Sequence, residues 1–202
     1  MPSARRHHAR RLHMARIAAQ FMQEQGVRDF HTAKRKAAER LGVDVRSSAL
    51  PSNQEVENAL AEHQRLFEGS IHQERLAGMR AAALEAMIWL AEFKPRLVGD
   101  VLSGLANAHS DICLHVFADP PELFDLFLQE QGIPHDIVER RLRVTRDCHQ
   151  YYPAFRFAAG DHGFEAILFS AEEIRQPPLS LVDGSPMQRA GCSQVERLIT
   201  ES

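Results

Sequence analysis

Apolar residues recur every three or four positions through most of the first 93 residues, and this spacing predicts four amphipathic helices. The predicted helices begin near residues 10, 29, 52 and 70, and glycines end the first three at Gly26, Gly42 and Gly69. Ser52 with Glu55, and Ser70 with Gln73, have the spacing of capping boxes, which satisfy the free N–H groups at a helix start. The fourth helix is predicted to end near residue 93, so the first half of the chain is predicted to be helical.

After residue 94 the pattern changes to short apolar runs and period-two alternation, which predict strands. The predicted strands cover residues 97–102, 111–117, 137–145, 151–158 and 164–169. Asp119 is expected to cap a helix among the strands, and Ser193 with Glu196 to start a C-terminal helix. The proline-rich residues 175–190 are expected to form an irregular wrap. Helices followed by strands predict an α+β fold with a mixed sheet flanked by helices and preceded by an N-terminal helical region.

One predicted strand, residues 111–117, combines candidate ligands with apolar residues. Because successive strand side chains point to opposite faces, Asp111, Cys113 and His115 are expected to share one face. The aliphatic residues between them are expected on the other face: Ile112, Leu114 and Val116. The pattern therefore predicts a strand that carries a site on one face and core on the other.

Composition limits the classes of protein. The 202 residues suit one domain, or one domain with a helical extension, and the three cysteines lack any CxxC spacing. An odd number of separated cysteines favours a reducing compartment. No apolar run is long enough for a membrane span, so a cytoplasmic protein without membrane contact is expected. GxSxG, P-loop, HExxH and GxGxxG motifs are absent from the sequence.

Charge is distributed unevenly along the chain. Residues 1–50 contain 11 Lys or Arg and 4 Asp or Glu, whereas residues 51–202 contain 13 and 23. We therefore expect a basic N-terminal helical region, residues 1–50, before a second domain, residues 51–202. A basic end can bind a polyanion, or dock on its own acidic body or on a second subunit. The candidate nucleic-acid contacts lie on the second helix: Lys34, Arg35, Lys36 and Arg40.

Residues 17–43, IAAQFMQEQGVRDFHTAKRKAAERLGV, resemble the opening helices of TetR-like helix-turn-helix proteins. The shared features are an alanine-rich first helix, a glycine turn and a closing LGV. The resemblance implies contact with nucleic acid. It ends at residues 47–53, where SSALPSN, a linker by composition, stands in place of a recognition helix.

The central stretch resembles a second family. Its spacing matches the signature of the nucleotidyltransferase superfamily, which includes the minimal nucleotidyltransferases and polymerase beta, at Gly99, Gly104, Ser110, Asp111 and Ile112. The resemblance implies a nucleotidyltransferase-like sheet, an NTP substrate and divalent metal, Mg²⁺ first, held by catalytic carboxylates. Asp111 matches the first carboxylate, and Glu165 is the candidate for the carboxylate from a neighbouring strand. The implied phosphate-binding residues are Gly99, Ser103, Gly104 and Ser110.

Two positions depart from that signature. Cys113 stands at the second carboxylate, and a thiolate suits zinc better than magnesium. Asp100 replaces a serine beside the triphosphate, where like-charge repulsion is worth roughly 1 to 4 kcal/mol at about 4 Å. Both changes oppose catalysis. The sequence therefore predicts a degenerate nucleotidyltransferase-like protein that binds a nucleotide and metal. The alternative is a non-catalytic binding or regulatory protein whose basic helical arm contacts nucleic acid or a protein partner.

Zinc is an alternative metal for the same strand face. Cys113 and His115 are additional candidate metal ligands. Zinc could be held by two of the alternating residues His109, Asp111, Cys113 and His115 together with His162 or Glu165. Four ligands on one strand face, about 7 Å apart, cannot all reach one ion.

Almost the whole chain also resembles a group of bacterial proteins of unassigned activity that share an AKRKAAERLG helix and a RQPPLSxVDGxPMxRA tail. That likeness implies a bacterial, cytoplasmic protein and supplies no reaction.

Overall fold

The computed structural model describes residues 2–44, 50–67 and 69–201, with the side chains of residues 2–6 and 67 excepted. The first three residues of the predicted linker at 47–53 lie outside this range. The helices are α1 Pro2–Gln25, α2 Phe30–Leu41, α3 Asn53–Phe67, α4 Gly69–Trp89, α5 Gly99–Ser103, α6 Glu122–Glu130 and α7 Cys192–Thr200. The strands are β1 Arg96–Val98, β2 Ile112–Phe117, β3 His135–Arg143, β4 His149–Ala159 and β5 His162–Phe169. Short 3₁₀ helices cover Ala91–Phe93 and Ala171–Arg175.

The chain forms two compact units, and the first contains residues 1–72 and 107–109. Here α1 packs against α2 and α3, with alanines such as Ala18 and Ala33 fully buried. Asp29 caps α2 by accepting a hydrogen bond from the Thr32 backbone, 2.7 Å away. The units divide within α4, beyond the boundary expected at residue 50, because α3 belongs with α1.

The second unit, residues 73–106 and 110–202, contains a five-stranded mixed sheet in the order β1-β2-β5-β4-β3. Strands β2 and β5 run parallel, and the other neighbours are antiparallel. Helices flank the sheet, so the predicted α+β arrangement with a mixed sheet is confirmed. The crossover from β2 to β5 places residues about 50 positions apart on adjacent strands, which local sequence patterns do not reveal.

Each face of the sheet has its own apolar cluster. Ile112, Leu114 and Val116 lie in the larger cluster together with α4 and α6 residues such as Met87 and Phe124. The opposite face carries a smaller cluster of Phe117, Tyr152, Ala154, Ile167 and Phe169. The alternation expected for residues 111–117 is therefore confirmed: one face of β2 is core, and the other carries polar groups.

Several local predictions were wrong. Helix α1 begins at Pro2 rather than near residue 10, and α4 begins at Gly69, before the predicted cap at Ser70. The strand predicted at 97–102 ends at Val98, because Gly99 adopts a left-handed backbone with φ of 70° and starts the short helix α5. Asp119 does not cap α6; its carboxylate accepts from the backbone N–H of Ala171 instead, at 2.8 Å. Helix α7 begins at Cys192, before the predicted cap at Ser193.

Within the described ranges, no helix is both long enough and apolar enough to cross a bilayer.

Candidate functional site

Asp111 and Glu165, the two carboxylates predicted from the sequence, lie near each other on one face of the sheet. Asp111 immediately precedes β2, and Glu165 lies on β5 directly opposite Cys113 in the parallel pair. Their side chains are 17% and 10% exposed. The sheet register therefore places Asp111, Cys113 and Glu165 on one face, as expected for residues at i and i+2 with a third from the neighbouring strand.

Gly163 fixes the position of the Asp111 carboxylate. A Cβ atom on Gly163 would lie 2.5 Å from Asp111 Oδ1, closer than two such atoms can approach. A larger residue at this point of β5 would have to displace the carboxylate, which occupies the space that a side chain would fill. No pattern in the sequence indicates this close approach.

Two arginines lie beside these carboxylates. Arg140, on β3, donates from Nε to both oxygens of Glu165 at 3.0 Å, and its Nη2 also contacts Glu165 Oε1. Arg156, on β4, lies 4.0 Å from the carboxylates of both Asp111 and Glu165. The site therefore pairs two negative with two positive side chains, and a metal at Glu165 would have to displace or share the Arg140 contact.

Sequence reasoning assigned no role to Arg140 or Arg156. Arg140 lies on the same face of β3 as Val138, and its side chain reaches across β4 to Glu165 on β5. A charged residue on an otherwise apolar strand face requires an opposite charge, because burying it alone is costly. The position of Arg140 in the sequence therefore indicates that an acidic partner exists, but it does not identify Glu165 as that partner.

The four predicted phosphate-binding residues lie on two segments of the chain, one at α5 and one just before β2. A Cβ atom added to Gly99, at the start of α5, would lie 3.8 Å from the Cβ of Cys113, so Gly99 lies beside Cys113. At the other end of α5 the Ser103 hydroxyl donates to the carbonyl of Asp100 at 3.3 Å, and Gly104 ends the helix in a left-handed conformation. Ser110 directly precedes Asp111. Gly99 and Ser110 therefore remain the candidates nearest the site.

An open cleft of about 420 Å³ adjoins Asp111 and Arg156 at the end of the sheet. Its lining also includes Asp136 and Gly163, together with Phe157 and Phe164, whose side chains are buried in the core cluster on the other face of the sheet. The exposed groups of the cleft are therefore mainly the charged side chains of Asp111, Asp136 and Arg156.

His115 lies on the same strand face but takes no part in this cluster. It is fully buried, its ring packs on Phe169, and its Nδ1 accepts from Arg189 Nε at 2.9 Å. Burial, with the adjacent Arg189 charge, lowers the pKa of His115 to about 3. A His that accepts from a guanidinium is neutral, and here it packs as core.

Metal ligands were the other prediction for this strand face. In the part of the chain that the structure describes, no group of three or more His, Cys, Asp or Glu residues is arranged to hold a metal ion. Cys113 is half-buried, and its Sγ lies 3.8 Å from the carbonyl oxygen of Asp111. Asp111 and Glu165 remain the two carboxylates that the sequence predicted for this site.

The four predicted nucleic-acid contacts on α2 all have neighbours within the first unit. Lys34 Nζ donates to the carbonyl of Pro51 at 2.9 Å, and burial lowers the pKa of Lys34. Lys36 and Arg40 lie over the ring of Phe21, at 5.6 and 5.9 Å from its centroid. Arg35 lies 3.9 Å from Glu39. Their contact with nucleic acid stays a prediction.

No family model matches this chain, and no curated protein matches it. Among solved structures, the chain is similar to that of Cid1 in complex with the UTP analogue UMPNPP, with 18% identity and a TM-score of 0.35. The similarity covers 56% of this chain and 38% of the Cid1 chain.

Proposed function

We propose that this protein is a degenerate nucleotidyltransferase-like protein that binds a nucleoside triphosphate with Mg²⁺ at the sheet face around Asp111. The observation that carries the proposal is the arrangement of Asp111, which immediately precedes β2, and Glu165, on the adjacent parallel strand β5, with Gly99 close to Cys113 of β2. These are the positions at which the nucleotidyltransferase signature, read from the sequence, requires carboxylates and a close backbone approach.

Metal and nucleotide would bind together at this site. A triphosphate alone would meet Asp111, Glu165 and Asp100, whose charges repel it. Mg²⁺ removes this repulsion by bridging phosphate and carboxylate oxygens. Arg156, 47% exposed at the mouth of the cleft, supplies a guanidinium for a phosphate oxygen.

Transfer of the nucleotide is not part of the proposal. Two-metal chemistry needs a second oxygen ligand where Cys113 stands, and it needs Glu165 free of Arg140. Cys113 and the Arg140–Glu165 contact both weaken metal binding, since each leaves the two metals with one oxygen ligand fewer. The proposed activity is therefore recognition of a metal-bound nucleotide.

Thermal unfolding with each NTP, with and without Mg²⁺, tests the proposal. A ligand present at 100 times its Kd stabilises by about 2.7 kcal/mol, which raises Tm by roughly 5 to 10 °C in a protein of this size. We expect the rise only when NTP and Mg²⁺ are both present, and we expect Asp111→Asn to abolish it. Asp161→Asn, the same change at an exposed turn residue, is the matched control.

Two results would overturn the proposal. One is the absence of a shift with every NTP in the presence of Mg²⁺. The other is an equal shift in Asp111→Asn and in the wild type, which would place the ligand elsewhere. Transfer of labelled nucleotide to an acceptor, lost in Asp111→Asn, would instead show that the site is catalytically active and that degeneracy was the wrong inference.

A further inference from the structure

The outer edge of β3 is an unpaired sheet edge. The strand has nine residues and stands last in the order of the sheet. Within the described residues one backbone bridge reaches this edge, between Arg143 and Leu179. Ile137 is 55% exposed, and the neighbouring Glu139 and Arg141 are exposed as well. An open edge of this length is a surface to which another strand can be added.

The direction of each backbone group on β3 follows from two hydrogen bonds. The N–H of Val144 donates to Cys148 at 3.0 Å, so it points toward the β4 side. The carbonyl of Arg143 accepts from Leu179 at 2.6 Å, so it points outward. Because the direction alternates along an antiparallel strand, the N–H and C=O groups of Ile137, Glu139 and Arg141 also point outward. These groups satisfy their hydrogen bonds with water or with an added strand.

We propose that a second copy of this chain pairs antiparallel with β3 across a two-fold axis at Val138, joining the two sheets. In this register Asp136 of each copy stands opposite Arg140 of the other, and Val138 meets its own equivalent. The interface therefore contains two pairs of opposite charge around an apolar contact. Arg140 can keep its contact with Glu165, because a guanidinium has five N–H donors.

Neighbouring registers are less favourable. A two-fold axis at Glu139 would place that carboxylate against its own copy, and an axis at Arg140 would oppose two guanidiniums. The second of these registers would also bring Ile137 of one copy to Arg143 of the other, where Leu179 already occupies the edge. Like charges directly opposite each other destabilise a strand pair, which disfavours the axes at Glu139 and Arg140. An axis at Ile137 would set Asp136 against Val138 and lose both Asp136–Arg140 pairs, so charge favours the register at Val138.

The expected dimer is weak. A single strand edge buries less area than a standard protein interface, so the Kd is expected at roughly 10 to 100 μM. Sedimentation velocity or light scattering from low micromolar to millimolar concentration should show a reversible monomer–dimer equilibrium. A two-fold pair occupies the β3 edge of both copies, so no β3 edge is left for a third copy and higher oligomers are not expected.

Two variants test the surface. Glu139→Pro removes an outward N–H and leaves the β4 ladder intact, since proline is tolerated on an edge strand with that geometry. Asp136→Arg opposes two positive charges at each pair, and Asp161→Arg makes the same charge change at a turn. We expect the first two to raise the dimer Kd at least about tenfold and Asp161→Arg to leave it unchanged. Circular dichroism and Tm confirm that each variant is folded.

Amide exchange in the wild type supplies a readout that needs no variant. On raising the concentration, the amides of Ile137, Glu139 and Arg141 should gain protection, whereas those of Val138 and Arg140 should be protected at all concentrations. A chain that stays monomeric up to millimolar concentration would overturn the proposal. So would a dimer that survives both Glu139→Pro and Asp136→Arg, since it would use another surface.

Discussion

Acidification tests the neutral state of His115 quantitatively. The imidazole is fully buried and accepts from Arg189 at Nδ1, while in the described residues its Nε2 has no hydrogen-bond partner. Arg96 lies opposite it on β1, and Ile167 on β5. Protonation would place a second positive charge against the guanidinium in a buried site. The folded state therefore resists protonation of His115.

The magnitude follows from linkage between proton binding and folding. The pKa of His115 falls from 6.5 to about 3 on folding. Between these values the unfolded chain binds a proton that the folded chain excludes, so stability is complete above about pH 6.5 and declines as pH falls toward 3. The slope approaches about 1.4 kcal/mol per pH unit, and the total reaches roughly 4 to 5 kcal/mol.

Urea unfolding at pH 7, 6, 5 and 4 measures this decline, with fluorescence of the single Trp89 as a probe of the second unit. Carboxylates also titrate in this range, so the comparison is with His115→Gln, which keeps an acceptor for Arg189 and does not titrate. The difference in unfolding free energy between wild type and variant should shrink by more than 1 kcal/mol per unit below about pH 6. A difference that stays constant from pH 7 to pH 4 would refute the reasoning.

The remaining predictions concern the candidate site. Gly163→Ala places a methyl group 2.5 Å from Asp111 Oδ1, so we expect a loss of about 1 to 3 kcal/mol in urea unfolding and loss of any Mg²⁺–NTP stabilisation. Gly78→Ala, whose Cβ would have no atom within 4 Å, is the control and should not destabilise. Arg140→Ala leaves Glu165 without its bidentate partner and should cost about 1 to 3 kcal/mol, part of which millimolar Mg²⁺ should restore. A loss that Mg²⁺ does not change would mark the Arg140–Glu165 pair as purely structural.

Much of the fold could be predicted because its signals are local. Gly42 ends α2 and Ser52 with Glu55 forms the capping box before α3, as their sequence spacing indicates. The alternation around Asp111 correctly separated the core face of β2 from its polar face. Hydrophobic periodicity, capping residues and turn residues depend on positions close together in the chain, so they can be identified from the sequence alone.

The parts that could not be predicted depend on distant contacts. The carboxylate of Asp119 was expected at a helix start, but it bonds to a backbone 52 positions away along the chain. The pairing of Arg140 with Glu165 depends on the strand order, which sequence periodicity does not specify. His115 was read as a possible ligand because its strand face was known and its neighbour Arg189 was not. Side-chain identity alone does not distinguish a ligand from a buried, satisfied residue.

The segment that follows β5 has a consequence for how the protein is made. Its Leu179 bridges to Arg143 on one edge strand, and its Ala190 bridges to Leu97 on the opposite edge strand. Residues 179–190 therefore reach both edge strands of the sheet, with one bridge at each. During synthesis on the ribosome, neither bridge can form until after all five strands have emerged, because both are made by residues that follow β5. A nascent chain that stalls between β5 and residue 179 would hold all five strands without a bridge at either edge, and both edges would be open to pairing with other growing chains.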